Sequence, residues 1–451
     1  MKQVRIGNGC GFWGDNLDAP IQLVEKGQLD YLTLEYLAEL TMSILAIQKQ
    51  KNPQRGFAHD FLKTLERLTP HLQQQPDLKI VTNAGGMNPE ACAQSARAIL
   101  DDANLRDRKV AIVQGDDIYP HLDSLVSQGH EMRHLDTGEP LTTVRDRVVS
   151  ANVYLGSDPI VEALSKGASI VITGRVADAS LTLAPAMHEL GWRGDDWNRL
   201  GAGIVAGHLI ECGAQVTGGL WCNWSEQTNL AEVGYPIAVV SEDGTVEITK
   251  APETGGVVNR ETVIEQLLYE VGDPSRYLTP DVVADFTSVQ IDEVEKDRAR
   301  ITNATGKPAT DSYKASIAYR DGFMTSGTLV IFGPNAVDKA RNCGAIERRR
   351  LERIDMLPQR FHVEVLGAGA GAPIDEEMDL REVVLRIAVR DANQEKVERF
   401  TRELAPLVTS GPPGISGYAT GRSSVREVFA FWPALLSKDA IQSEVKIIGE
   451  D

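Results

Sequence analysis

The sequence predicts an α/β protein, with a mostly parallel sheet covered by helices on both faces in residues 1–224 and an α+β portion in residues 225–451. Three observations carry this. Short, near-continuous apolar runs recur through the first half, as strands buried on both faces require. Amphipathic segments such as Glu90–Asp101 and Pro159–Lys166 fall between several of them, which is the alternation of a βαβ architecture. After Gly219 the texture changes to strands that follow one another through turn residues.

In chain order the apolar runs are "VRIGNG", "YLTLEYL", "KIVTNAGG", "VAIVQGDD", "ANVYLGSD" and "SIVITGRVAD", each turning to Gly, Asn, Asp or Arg at its end. A helix follows the first run, capped around Asp18 with Pro20 in its first turn. Another spans roughly residues 200–212 and stops at Gly213. "IAVVSEDGTVEITK" reads as a hairpin around Asp243-Gly244, and "YLTPDVVADF" as a turn-rich link. "DRARITNATG", "YKASIAYRDG" and "MTSGTLVIFG" read as antiparallel strands, and "NAVDKARNCGAIERRRLERI" as a helix. "FHVEVLGAG" and "EVVLRIAVRD" are strands and "EKVERFTRELAPLVTSG" is a helix, which gives the second portion split β-α-β elements of a ferredoxin-like kind.

Composition narrows the partners. The 451 residues carry 64 acidic against 46 basic side chains, a net charge of −18, which opposes nucleic acid and anionic membrane. A small anionic substrate is still allowed, because a local field can oppose the net charge. No stretch approaches the roughly 18–20 apolar residues that span a bilayer, and "MKQVRIGNG" lacks the apolar run of a signal peptide. Five scattered cysteines, at 10, 92, 212, 222 and 343, form neither a zinc spacing nor a disulfide framework. A cytoplasmic homo-oligomer acting on a small molecule is the expectation.

In open α/β sheets ligands bind beyond the carboxyl ends of the strands, and those ends here carry Asn8, Glu35, Asn83, Asp116, Asp117, Arg175 and Asp178. Gly9, Gly11 and Gly14 have the spacing of a dinucleotide-binding turn, with Glu35 at the distance of a ribose-binding acid. Bulky Phe12 and Trp13 and the carboxylate of Asp15 oppose a pyrophosphate there, so a tight turn or a polar loop facing substrate competes with that reading. Gly85 and Gly86, after Asn83, could turn backbone amides toward an anion, or form a plain strand-to-helix turn. Arg175 could hold a carboxylate in a bidentate fork, or pair with Asp178 and stiffen its loop. His208 and Glu211, spaced i,i+3, can face one site as acid–base partners, although a lone helical histidine is often structural. No nucleophile elbow, P-loop or zincin motif occurs.

The stretches "GCGFWGD", "DYLTLEYLAELTMSIL", "VTNAGGMNP", "IVITGRVADASLTLAP", "HLIECGAQVTGG" and "YEVGDPSRYLTPDVVADF" occur together in order, with a weaker match onward to "GPPGISGY". By these the chain resembles the acyclic terpene utilisation protein A family. The resemblance implies a cytosolic catabolic protein, from pathways that degrade citronellol- and geraniol-like compounds as coenzyme A thioesters. Some longer relatives append a small ferredoxin-like domain; no copy is evident before "EVKIIGED" ends the sequence, so a separately encoded small subunit is open.

The resulting expectation is a lyase or hydratase acting on a small carboxylate or acyl-CoA-type substrate. Asp15, Glu35, Asp116, His208 and Glu211 are the candidate catalytic residues. Asn8, Gly11, Asn83, Gly85, Gly86, Arg175, Asp178 and Gln215 are the candidate binding residues. A divalent metal such as Mg2+ could sit among the carboxylates. The alternatives are a dinucleotide-dependent oxidoreductase and a non-catalytic subunit of a catabolic complex. If one edge of the sheet is the site, Asn8, Asn83, Asp116 and Arg175 line one cavity and the helix with His208 and Glu211 closes its side.

Overall fold

The computed structural model describes residues 1–226, 229–371, 380–417, 421 and 423–449; Tyr418, Glu450 and Asp451 of the quoted stretches lie outside them. The chain forms two compact units, Met1–Ala318 with Phe431–Asp451, and Tyr319–Ala430. Among the described residues no helix is long and apolar enough to cross a membrane.

The first unit is built on a ten-stranded mixed sheet. Its centre is five parallel strands, β1 (Gln3–Asn8), β2 (Tyr31–Leu34), β3 (Lys79–Thr82), β4 (Val110–Gln114) and β6 (Ile170–Thr173), in the order β1-β2-β3-β6-β4. Leu32, Leu34, Ile80, Ile112, Ile170 and Ile172 point into one core with side chains of α1 (Ala19–Lys26), α2 (Glu39–Lys51), α3 (Asp60–Gln74) and α4 (Pro89–Asp102). Residues of the opposite parity, Val81, Ala111, Val113 and Val171, are equally buried. On their side α6 (Asp158–Ser165) meets β4 and β6, α7 (Ser180–Leu190) meets β1 and β2, and α8 (Trp197–Glu211) meets β1. A short α5 (Leu122–Ser127) follows β4.

Local rules place these helices. Phe61, Leu65, Leu68 and Leu72 recur at helical spacing along α3 and are all buried. Pro89 begins α4 behind Asn88, whose side chain accepts the Ala91 amide, and Gly191 ends α7 in the left-handed region. Residues Leu200–Ile210 of α8 are buried all round, so this helix is part of the core and not a surface element.

Antiparallel strands flank the parallel core, and here the structure departs from a mostly parallel sheet. β7 (Pro236–Ser241) pairs with β1, β8 (Val246–Lys250) pairs with β7, and β12 (Arg298–Thr302) and β11 (Gln290–Glu295) continue the edge. β18 (Glu444–Ile447) pairs antiparallel with β4 at the other edge. The hairpin around Asp243-Gly244 forms as expected, with Gly244 at φ +91°. The change of texture near residue 225 thus marks the turn from parallel to antiparallel strands within one sheet. Strand β5 (Val148–Val153) forms but pairs with β14 (Ser312–Phe332) and stays out of the parallel sheet. "YLTPDVVADF" is not a link: β10 (Val283–Asp285) pairs with β9 (Tyr277–Leu278) on one side and β13 (Thr305–Lys307) on the other as a small antiparallel sheet. α9 (Arg260–Leu268) starts from a full capping box between Asn259 and Thr262.

The second unit is antiparallel, with β15 (Arg360–Leu366), β16 (Glu382–Asp391) and β14 paired in that order, and β17 (Arg426–Ser437) next to β14. "YKASIAYRDG" and "MTSGTLVIFG" are one continuous strand. α10 (Ala336–Arg353) packs on β15 and β16 through Ala340, Cys343 and Leu351. The final expected helix is interrupted by turns into α11 (Gln394–Phe400) and α12 (Leu407–Ser410), the second capped at Pro406.

Candidate functional site

A cavity of about 950 Å³ opens in the first unit where β1, β2 and β6 end and α8 terminates. Seven residues expected at a site line it: Gly11, Asp15, Glu35, Arg175, Asp178, Glu211 and Gln215. Arg175 and Glu211 therefore share one cavity. Tyr154, Tyr235, Tyr277, Glu39, Glu270 and Lys314 line it as well.

The strand ends position the floor. Glu35 follows β2; its Oε1 accepts the Leu37 amide at 2.9 Å and a hydrogen bond from Asn83 Nδ2. Arg175 follows β6, with Nη1 2.7 Å from Asp178 Oδ1, 3.8 Å from Glu35 Oε1 and donating to Leu37 O at 3.0 Å. Its guanidinium carbon stacks 4.2 Å from the Tyr154 ring centroid. Tyr154 donates in turn to Glu39 Oε1 at 2.5 Å, which Lys314 approaches at 3.3 Å. Glu211, at the end of α8, lies 3.1 Å from His208 Nδ1, and the His208 ring packs against Tyr277 and Phe286. Among the described residues, Glu35 Oε2, Arg175 Nε, Glu211 Oε2 and His208 Nε2 are buried with no hydrogen-bond partner. Three of these residues, Glu35, Arg175 and Glu211, line the one cavity and mark where a ligand's polar atoms would land.

Burial sets the protonation here. It pushes the Glu35 carboxyl up to about 8, assisted by Asp178 and opposed by Arg175. Burial raises Glu211 too, against the pull of His208. Burial alone would lower His208, but its hydrogen bond and charge contact with Glu211 outweigh this and raise it. Glu39 goes the other way: burial opposes ionisation, yet the Tyr154 hydroxyl and the Lys314 and Arg175 charges hold it near 2.

Several expected residues stand behind the cavity wall, and the shared lining expected of Asn8, Asn83, Asp116 and Arg175 reduces to Arg175. Tight turns after strands bury backbone polar groups that need partners, and short polar side chains supply them. Asn8 Nδ2 donates to the carbonyls of Ile210 and Glu211 at 2.6 and 3.0 Å, tying down the last turn of α8. Asn83 Oδ1 accepts the Tyr36 amide at 2.8 Å. Asp116 accepts the Arg175 amide and Asn152 Nδ2, each at 2.8 Å; burial first, then Asp117, raises it to about 7. A Cβ on Gly174 would fall 2.3 Å from that carboxylate, so the Asp116 contact requires glycine there. At Gly85 and Gly86 the Gly86 amide donates to Asn83 O, and side chains there would strike Thr173 O and Leu45, as a tight strand-to-helix turn requires. His208 sits one step back, touching the cavity through Glu211.

The opening glycine motif also has a physical account. A Cβ on Gly9 would meet Pro20 of α1, and one on Gly11 would meet the Cys212 backbone. Asp15 accepts the amides of Gly11 at 2.8 Å and Asn16 at 2.7 Å, and the Tyr235 hydroxyl. The chain's own carboxylate thus occupies amides that a pyrophosphate would use. Among the described residues no three His, Cys, Asp or Glu side chains group as metal ligands. Glu39, at the start of α2 just past the β2 end, could have been found by the same strand-end rule as Glu35. Tyr154, Tyr235, Tyr277 and Lys314 carry no such signal, because tertiary contacts alone bring them in.

The model of the acyclic terpene utilisation family protein AtuA matches residues 4–447 of the chain. In the comparison with curated proteins nothing matches.

Proposed function

The chain belongs to the acyclic terpene utilisation family, and from that premise we propose that it is a cytoplasmic catabolic enzyme, a lyase or hydratase acting beside the carbonyl of a small acyl substrate. The observation that carries this is the set of unpartnered polar atoms of Glu35, Arg175 and Glu211 around one cavity. Hydration, dehydration and carbon–carbon cleavage next to a carbonyl share two needs: a proton must move at carbon or oxygen, and charge developing on the carbonyl oxygen must be held. Arg175 Nε–H and the protonated Glu35 carboxyl are two donors for that oxygen. Glu211, hydrogen-bonded to His208, is the base that takes and returns the proton. A neutral carboxyl and a histidine-paired carboxylate in one site are environments that separate acid from base. All five cysteines are free, as expected in a reducing compartment.

The test is turnover by Glu35→Gln and Glu211→Gln against a panel of enoyl and 3-hydroxyacyl thioesters, followed by the enoyl absorbance. Glu211→Gln should lose about 10²–10⁴-fold in turnover and Glu35→Gln, which keeps a weaker amide donor, about tenfold, each melting as the parent does. Full activity in both, or co-purification with an active enzyme and no intrinsic turnover, overturns the proposal; the second outcome indicates a non-catalytic subunit.

A further inference from the structure

Four tyrosines line the cavity, and their hydroxyls are not equally engaged. The Tyr154 hydroxyl donates to Glu39 and that of Tyr235 to Asp15, while Tyr269 is exposed at the rim beside Glu270. The Tyr277 hydroxyl has no hydrogen-bond partner among the described residues. A phenol at a polar wall ordinarily finds one, so this donor is left for whatever enters the cavity. Its ring is firmly held: it stacks on Phe286 at 4.7 Å and lies 5.3 Å from the His208 ring, and both neighbours are buried. The turn between β9 and β10 is pinned as well. Asp281 there accepts the Ser157 amide at 2.7 Å and the Ser180 hydroxyl at 2.8 Å. His208 also lies 3.1 Å from Glu211, so one imidazole sets both Tyr277 and Glu211 at the α8 end of the cavity. Arg175 and Glu35 stand apart from them, at the strand ends. Burial first, then the charges of Glu211 and Asp178, raise the proton affinity of Tyr277, so its hydroxyl stays a donor.

The lyase or hydratase reading, on which this inference rests, leaves one substrate atom unattended. Arg175 and Glu35 hold the carbonyl oxygen and Glu211 moves the proton, but the oxygen that leaves or adds two carbons from the carbonyl carbon gathers charge of its own. We infer that Tyr277 is a catalytic residue, the hydrogen-bond donor to that second oxygen. In the dehydration direction Glu211 takes the proton from the carbon beside the carbonyl. The C–H electron pair becomes the carbon–carbon double bond, and the C–O pair departs with the oxygen. That oxygen receives the proton back from Glu211 and leaves as water. Tyr277 keeps its own proton throughout and supplies only the hydrogen bond, which strengthens as the C–O bond breaks. Hydration runs the same steps in reverse.

Tyr277→Phe keeps the ring between His208 and Phe286 and removes only the hydroxyl. Elimination by the full chain is followed through the enoyl absorbance with two N-acetylcysteamine thioesters, 3-hydroxybutyryl and 3-chlorobutyryl. Hydroxide leaves poorly without a hydrogen bond, so kcat on the first should fall about 10²-fold while KM and the melting temperature change little. Chloride leaves without that help, so the same variant should stay within about threefold of the parent on the second. Equal losses on the two thioesters, or full activity on the hydroxy compound, overturn the inference and leave the lyase or hydratase reading standing. No elimination from either thioester by the unmodified protein overturns that reading, and the inference with it.

Discussion

Glu35 in the first unit and Glu347 in the second are two glutamates that burial pushes to the same place, about 8, yet their surroundings differ in kind. Glu35 borders a cavity, with Arg175, Asp178 and Asn83 around it and one oxygen without a partner. Glu347 lies on α10 among Cys343 and Leu351, with no exposure. Neither of its oxygens has a hydrogen-bond partner among the described residues; Glu403 pushes its proton affinity up and Arg350 pulls it down. Any carboxyl deprived of water resists ionisation. A raised pKa therefore finds burial, and only convergence with other unpartnered polar groups at a cavity separates a candidate site from a packed core.

Among changes matched between the two settings, the largest effect should come from the guanidinium that distinguishes the first. Arg175→Lys keeps the charge beside Asp178 but removes Nε–H and the planar stack on Tyr154, and turnover should fall about 10²–10³-fold. Arg350→Lys, the matched change beside Glu347, should leave turnover within about twofold, since neither Arg350 nor Glu347 is among the residues that line the cavity. Equal losses in the two variants would erase the distinction drawn between the clusters. The pH profile sharpens it further. If Glu35 works as a neutral donor, turnover declines as pH rises through about 8, and that limb disappears from the residual activity of Glu35→Gln. Glu347→Gln should keep the limb.

Stability should tell the opposite story for Glu347. Its folded-state affinity for the proton exceeds that of the unfolded chain, where a glutamate titrates near 4.5. The native state holds the proton between those values and the unfolded state does not, so the contribution is complete below about pH 4.5 and is lost as pH rises through about 8. The slope reaches at most about 1.4 kcal/mol per pH unit for one group. Glu347→Gln, neutral throughout, should melt about 5 °C above the parent at pH 9, with the difference closing toward pH 5 and turnover unchanged. A gap independent of pH would show that the carboxyl ionises without penalty in the folded state.

Much of the first unit was legible because strand ends carry their own signal. "YLTLE", "IVTN" and "IVITGR" put Glu35, Asn83 and Arg175 at one edge of a sheet, and Glu35 and Arg175 do lie 3.8 Å apart. What periodicity could not say is which side of the turn each polar group faces. Asn8, Asn83 and Asp116 have the same local pattern as Glu35 but turn back to satisfy backbone groups. Equally hidden were contributions without local grammar, such as Tyr277, which sits in a strand of two residues that read as a link. The pairing of β7 with β1 was illegible for the same reason: alternation shows that a strand has a partner, not which strand it is.

The smallest effect tests whether those backward-facing groups matter to the site at all. Asn8 is buried and its amide holds the carbonyls of Ile210 and Glu211, the last turn before the helix ends at Cys212. Asn8→Ala leaves both carbonyls short of a donor and removes about 1–3 kcal/mol of stability, visible as a lower denaturant midpoint at unchanged m. Glu211 rides on that turn, so loosening it should shift the carboxylate relative to Glu35 and reduce kcat about three- to tenfold, with little change in KM. Asn8→Gln, which keeps the amide on a longer arm, should recover less of the stability than its chemistry suggests because no space is provided at the buried position. A destabilised Asn8→Ala with full kcat would make Asn8 a support for the fold and no part of how Glu211 is held.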